Sequence, residues 1–343
     1  MHRLPKFMFT VLLICAPLAH AAAPDQPQIA NLGDLKLENG QVLKDCRVAY
    51  RTFGQLNADK SNVVLFPTWF SGSSADLASH IGPNKLIDSS RYYVIAVDAL
   101  ANGVSSSPTN SAAQPRMQFP QISIRDMVQS QHELLTRTLS IKHVKAVMGI
   151  SMGGMQTFQW VLSYPDFMDR AIPIVGSPQL APYDLLLWRA NLDAIQRDPD
   201  WKNGNYVDEP VLATVQDLAA LMLTTVEQFN RDKTRKEVLE SIRKRTVSPF
   251  GAADRVIQLK AMMGHDVSLA FGGRMAKAAS EVKAKLLVVV SVHDHMVTPG
   301  PAIEFAKLSR AQLLELSGNC GHNAPKCELA KIAGAITKFL EER

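Results

Sequence analysis

Lys145-Ala146-Val147-Met148-Gly149-Ile150-Ser151-Met152-Gly153-Gly154 decides how this chain is read: an apolar run turns on glycines around one serine, then continues into Met155-Gln156-Thr157-Phe158-Gln159-Trp160. Gly-x-Ser-x-Gly between a buried strand and a helix is a nucleophile elbow, too tight for side chains at Gly149 and Gly153. Such a turn lifts the Ser151 hydroxyl clear of the sheet. It also aims the Met152 backbone N–H, at the positive end of the following helix, toward a developing oxyanion. Five residues alone equally describe a glycine-rich turn with an idle serine, so the flanking sequence must supply a base and an acid.

Upstream, residues 62–66 and 92–97 are short runs apolar on both faces, as are residues 171–176 downstream. Strands of this kind, separated by loop or helix, predict an α/β protein with a mostly parallel sheet. Residues 30–53 alternate and break at Asn39-Gly40, predicting a hairpin of antiparallel edge strands. Residues 98–120, rich in Ser, Asn, Pro and Ala, read as a long irregular loop, and residues 128–139 as a helix packed on the sheet. From 178 to 280 there are helical stretches (185–195, 211–229 and 236–242) but no buried strand, which predicts an inserted helical lid. The sheet resumes at 284–291 and 311–316, and a helix at 329–339 closes the chain. The core is therefore expected in two pieces, 22–177 and 281–343.

An elbow serine needs a general base, and the base an orienting carboxylate, in the chain order serine, acid, histidine. The strand at 285–290 ends in Ser291-Val292-His293-Asp294-His295-Met296, which puts Asp294 where the acid belongs. The strand at 313–316 ends in Ser317-Gly318-Asn319-Cys320-Gly321-His322-Asn323, which puts His322 where the base belongs. Asp98 also ends a strand, but it precedes the elbow and reads as a loop or pocket residue. His293 and His295 flank Asp294 without any further ligand set at metal-like spacing, so neither a metal nor a cofactor is expected. The second oxyanion donor is expected from the loop after residues 63–66, through the backbone of Trp69 or Phe70, whose rings with Met152 suggest an apolar acyl site.

The 343 residues are 46% hydrophobic, ample for a large buried core. Arg3 and Lys6 precede an apolar stretch at 7–18 and then Ala19-His20-Ala21, the pattern of a secretory signal at residues 1–21 cleaved after Ala21. An uncleaved anchor is the alternative, although the stretch is short for a bilayer. Cleavage lowers the formal charge from +5 to +3. The densest basic run, from Arg231 to Lys236, is interleaved with acids and lacks aromatics, which argues for a solvated face and against nucleic acid. A periplasmic or secreted protein with no stable membrane insertion after cleavage is expected. Cys46, Cys320 and Cys327 remain; Cys320 and Cys327 could pair around His322, or all three could be thiols.

Longer matches extend the elbow. They are Asn62-Val63-Val64-Leu65 with Ser71-Gly72-Ser73-Ser74, the run from Phe119-Pro120-Gln121-Ile122 through Ser123-Ile124-Arg125-Asp126-Met127-Val128, Ser151 to Gln156 with Tyr164-Pro165-Asp166, and Ala194-Ile195-Gln196-Arg197-Asp198-Pro199-Asp200-Trp201. On these residues the sequence resembles the homoserine O-acetyltransferase family over nearly all of the chain after residue 21. The resemblance implies an α/β-hydrolase fold with a helical lid, a Ser151-His322-Asp294 triad and a homodimer through the lid. Where that family places an arginine to hold its amino-acid substrate, this chain has Leu192-Asp193, with Arg189 out of register. Residues 99–108, Val297-Thr298-Pro299 and Asn323-Ala324-Pro325 also depart from the family pattern. An exported enzyme would not meet acetyl-CoA. The expected activity is therefore hydrolysis of a small-molecule ester with a small or medium acyl group; an O-acyltransferase is the alternative, and a catalytically silent binding protein a further one.

Overall fold

In a computed structural model describing residues 26–342, eight strands form one sheet in the order β1-β2-β4-β3-β5-β6-β7-β8. The strands are β1 (Gln28–Lys36), β2 (Val42–Phe53), β3 (Val63–Pro67), β4 (Tyr93–Val97), β5 (Val144–Ile150), β6 (Met168–Ile174), β7 (Lys285–Ser291) and β8 (Gln312–Leu316). β1 and β2 form the expected hairpin, closed by Gly40 at φ +84°, and β2 joins β4 antiparallel. All other pairings are parallel. The signal-like stretch lies outside the described residues.

Both faces of the sheet are covered, which is why its central strands read as continuous apolar runs. Along β3, Val63 and Leu65 pack on one side with Phe158 and Trp160, while Val64 and Phe66 pack on the other with Leu77, Ile336 and Phe339. The helices Ile124–Glu133, Met152–Ser163 and Gly300–Ser309 belong to the first layer, and Leu329–Glu341 to the second. Ser123 and Asp126 cap the helix Ile124–Glu133 reciprocally, each side chain accepting from the other's backbone N–H. Regular α-helix ends at Glu133, short of the expected 139, and widens into a π turn over Leu134–Thr138.

Between Ile174 and Lys285 the described residues contain helices and no strand. Two details differ from the sequence expectation. The stretch 211–229 is two helices, Ala213–Met222 and Val226–Asp232, because Thr225 adopts extended backbone and caps the second with its hydroxyl. A further helix, Ala252–Met263, was hidden because it is buried on nearly every face and shows no amphipathic stripe. An antiparallel bridge between Gln179 and Asp266 draws the base of this insertion together. The basic run lies on the helices Val226–Asp232 and Arg235–Arg243, which bury no residue.

Candidate active site

β5 delivers Ser151 at φ +56° and ψ −120°, a left-handed conformation costly for a residue with a Cβ, and the helix Met152–Ser163 starts at once. The glycines around it serve close approach. A Cβ on Gly149 would stand 2.2 Å from the Gly153 carbonyl oxygen, and one on Gly153 would stand 2.6 Å from that of Pro67. The tight turn read from the sequence is thus a contact between the elbow and the end of β3.

Asp294 and His322 arrive from the loops after β7 and β8 and meet Ser151. His322 Nε2 lies 2.8 Å from Ser151 Oγ, and His322 Nδ1 lies 2.6 Å from Asp294 Oδ2. A carboxylate can only accept, so Nδ1 carries the proton and Nε2 is free to accept the serine hydroxyl's. The other Asp294 oxygen accepts the N–H groups of Met296 and Val297 at 2.9 and 3.0 Å. All three side chains are buried, Ser151 to 8% exposure, which strengthens the polar contacts among them. A Cys320–Cys327 disulfide closes the loop that carries His322, while Cys46 stays a buried thiol pushed up to about 12 by desolvation.

The loop after β3 runs beside the elbow. Among the described residues, no acceptor takes the backbone N–H of Trp69, Phe70 or Met152. Two buried glutamines that sequence reasoning passed over hold this loop. Gln156 Nε2 donates to the Thr68 carbonyl at 3.0 Å; its own oxygen accepts from Gln131, whose oxygen accepts from Trp160 Nε1. From the insertion, Gln258 accepts the Ser71 N–H at 3.1 Å and donates to the Leu100 carbonyl at 3.1 Å. Gln156 sits one helical turn from Met152, a spacing that could have marked it.

Ser151 and His322 open into a cavity of about 790 Å³. Trp69, Phe70, Trp188, Met222, Leu223 and Met296 give it apolar walls, and Arg255 also reaches it. One expectation needs correction and one is narrowed. The Met152 side chain packs into the core and is no part of the wall; the methionines present there are Met222 and Met296. Asp98 does not line the cavity either: it is buried under the loop, accepts from the Ser74 N–H and Asn102, and desolvation raises its pKa. The off-register Arg189 is paired with Asp193 away from the cavity, and Leu192 is buried. His295 bonds the Leu221 carbonyl, His293 stands exposed, and no metal-ligand cluster occurs among the described residues.

Known proteins resemble this chain over most of its length. An ethyl acetate hydrolase of Pseudomonas veronii is 33% identical over 82% of this chain and 84% of its own length. A homoserine O-acetyltransferase of Trichormus variabilis is 31% identical over 89% of this chain and 90% of its own. Among solved structures, the acetyl esterase MekB superposes with a TM-score of 0.87 at 29% identity, covering 93% of this chain and 98% of that one. The family model for the alpha/beta hydrolase fold matches residues 62–326, and this chain belongs to that family.

Proposed function

We propose that this chain is a carboxylesterase that cleaves small or medium acyl esters through an acyl-enzyme on Ser151. The observation that carries the reading is the hydrogen-bonded line from Ser151 Oγ through His322 to Asp294. Ser151 Oγ attacks the ester carbonyl carbon as His322 Nε2 takes its proton, and Asp294 stabilises the imidazolium and keeps its orientation. The tetrahedral oxyanion is held by the N–H of Met152 and that of Phe70 or Trp69. Collapse expels the alcohol with the proton from His322. Water, deprotonated by His322, then attacks the acyl carbon, and the carboxylic acid leaves as Ser151 recovers its proton. The apolar cavity walls and the similarity to an ethyl acetate hydrolase support a short, uncharged region around the scissile bond.

The helices at 178–280 act in this reading as a lid. We place the protein in the periplasm or outside the cell; the signal-like residues 1–21 and the Cys320–Cys327 disulfide support that compartment. Purified protein should turn over p-nitrophenyl acetate and butyrate, and a serine-directed phosphonate should label Ser151. Inert esters and an unlabelled serine would sink the reading.

Acyl transfer is the second reading, favoured by the homoserine O-acetyltransferase relatives. Labelled acetyl-CoA offered with homoserine separates the two: label in O-acetylhomoserine means transfer, and label only in acetate means hydrolysis.

A further inference from the structure

One wall of the cavity carries a charge that no carboxylate among the described residues pairs with. Arg255, on the buried helix Ala252–Met263, shares the cavity with Ser151, and its Nε is buried without a hydrogen-bond partner. Among the described residues its Nη2 reaches only Ser248 Oγ, at 3.5 Å, the outer limit of a hydrogen bond. Among the described residues no carboxylate forms an ion pair with it. The neighbouring Asp254 turns away to Thr109, and Asp76, the acid on the cavity rim, accepts from Ser73. Lys326, the other lining cation, is exposed. The guanidinium carbon lies 5.4 and 5.0 Å from the ring centroids of Phe70 and Phe250, contacts that do not use its N–H donors. Burial lowers its pKa only to about 10, so it stays charged at neutral pH.

A half-buried guanidinium without a carboxylate partner, lining the same cavity as the nucleophile, has the chemistry of a carboxylate receptor through its Nη donors. We propose that Arg255 sets the specificity of this cavity by binding a carboxylate carried by the substrate ester. The preferred substrates are then half-esters of dicarboxylic acids or esters of hydroxy acids. A single fork among apolar walls suits a monoanionic carboxylate better than a phosphate dianion, which needs several donors. The proposal rests on the esterase reading and names its substrate class.

Two matched pairs test it by pH-stat hydrolysis. Monoethyl succinate against ethyl levulinate puts the carboxylate in the acyl half, and 3-acetoxypropanoate against 4-acetoxybutan-2-one puts it in the alcohol half. In at least one pair kcat/KM should favour the anion by about 10-fold or more. R255M should erase that preference, chiefly through KM, and R255K, which keeps the charge but loses the fork, should fall between. Equal loss on both members of each pair would make Arg255 a packing prop and overturn the proposal, as would a wild-type ratio near one. Calorimetric titration of S151A with succinate reads the site without catalysis; binding should vanish in S151A/R255M, with thermal melts checking that each variant folds. If R255M fails to fold, R255K carries the same comparisons. Succinate bound through Arg255 by a protein inert on every ester would overturn the esterase reading and keep the site. Turnover of all four esters with a ratio near one would do the reverse.

Discussion

Gly153→Ala is the sharpest probe of the elbow, because it adds one methyl at the seam between nucleophile and oxyanion loop. The new Cβ would lie 2.6 Å from the Pro67 carbonyl oxygen, whereas ordinary contact begins near 3.4 Å, so the two segments must part by about 0.8 Å. Both are backbone, so no side-chain rotation relieves the clash. Thr68, Trp69 and Phe70 follow directly on Pro67, so their N–H groups move away from Ser151. An oxyanion donor works at about 2.7–3.1 Å, and losing one costs roughly 10²–10³ in kcat. Overpacking itself costs about 1–3 kcal/mol, a fall of several degrees in Tm, and leaves the protein folded. Steady-state hydrolysis of p-nitrophenyl acetate and a circular-dichroism melt should therefore show kcat down at least about 100-fold in a folded protein. A folded variant with kcat within about threefold of wild type would refute the placement of the oxyanion donors after β3.

Asp294→Asn removes the charge that fixes the His322 tautomer and should lower kcat by about 10³–10⁴, measured on the same ester with the melt unchanged. Cys320→Ser with Cys327→Ser frees a short loop, so chemical denaturation should show a loss of about 2 kcal/mol. Because His322 rides on that loop, kcat should fall as well. Asp254, whose pKa burial raises from 3.8 to about 6, binds its proton more tightly folded than unfolded. The fold therefore loses stability as pH rises from about 4 to about 6 and no more beyond. Asp254→Asn should accordingly raise Tm at pH 8 and not at pH 4; a gain confined to pH 4 would contradict the sign.

Where an expectation rested on strand ends it located the site well, since a parallel sheet gathers the loops after β5, β7 and β8 at one edge however far apart they are in sequence. Ser151, Asp294 and His322 were readable for that reason. What stayed hidden depends on partners remote in sequence. Gln258 reads as an ordinary helix residue, yet it accepts from Ser71, 187 residues away. Arg255 reads as a solvent-facing cation on a stretch with no visible helical stripe, and only packing reveals its burial beside Phe70 and Phe250. The break between the helices Ala213–Met222 and Val226–Asp232 was also invisible, because Thr225 is selected there by Asn319, whose carbonyl accepts its N–H and hydroxyl.

That threonine is one of several tethers. Asp184 accepts from Thr298 beside the acid loop, Gln258 grips Ser71 beside the oxyanion loop, and Thr225 grips Asn319 beside the histidine loop. The insertion between β6 and β7 is therefore mortised into all three loops at once. Grafting a foreign insertion onto this sheet, or trimming this one away, would misalign the loops before it altered what the cavity admits. New substrate preferences are reached instead by exchanging individual side chains on the helices Pro182–Gln196 and Ala252–Met263, leaving Asp184, Thr225 and Gln258 as fixed joints for any directed-evolution library.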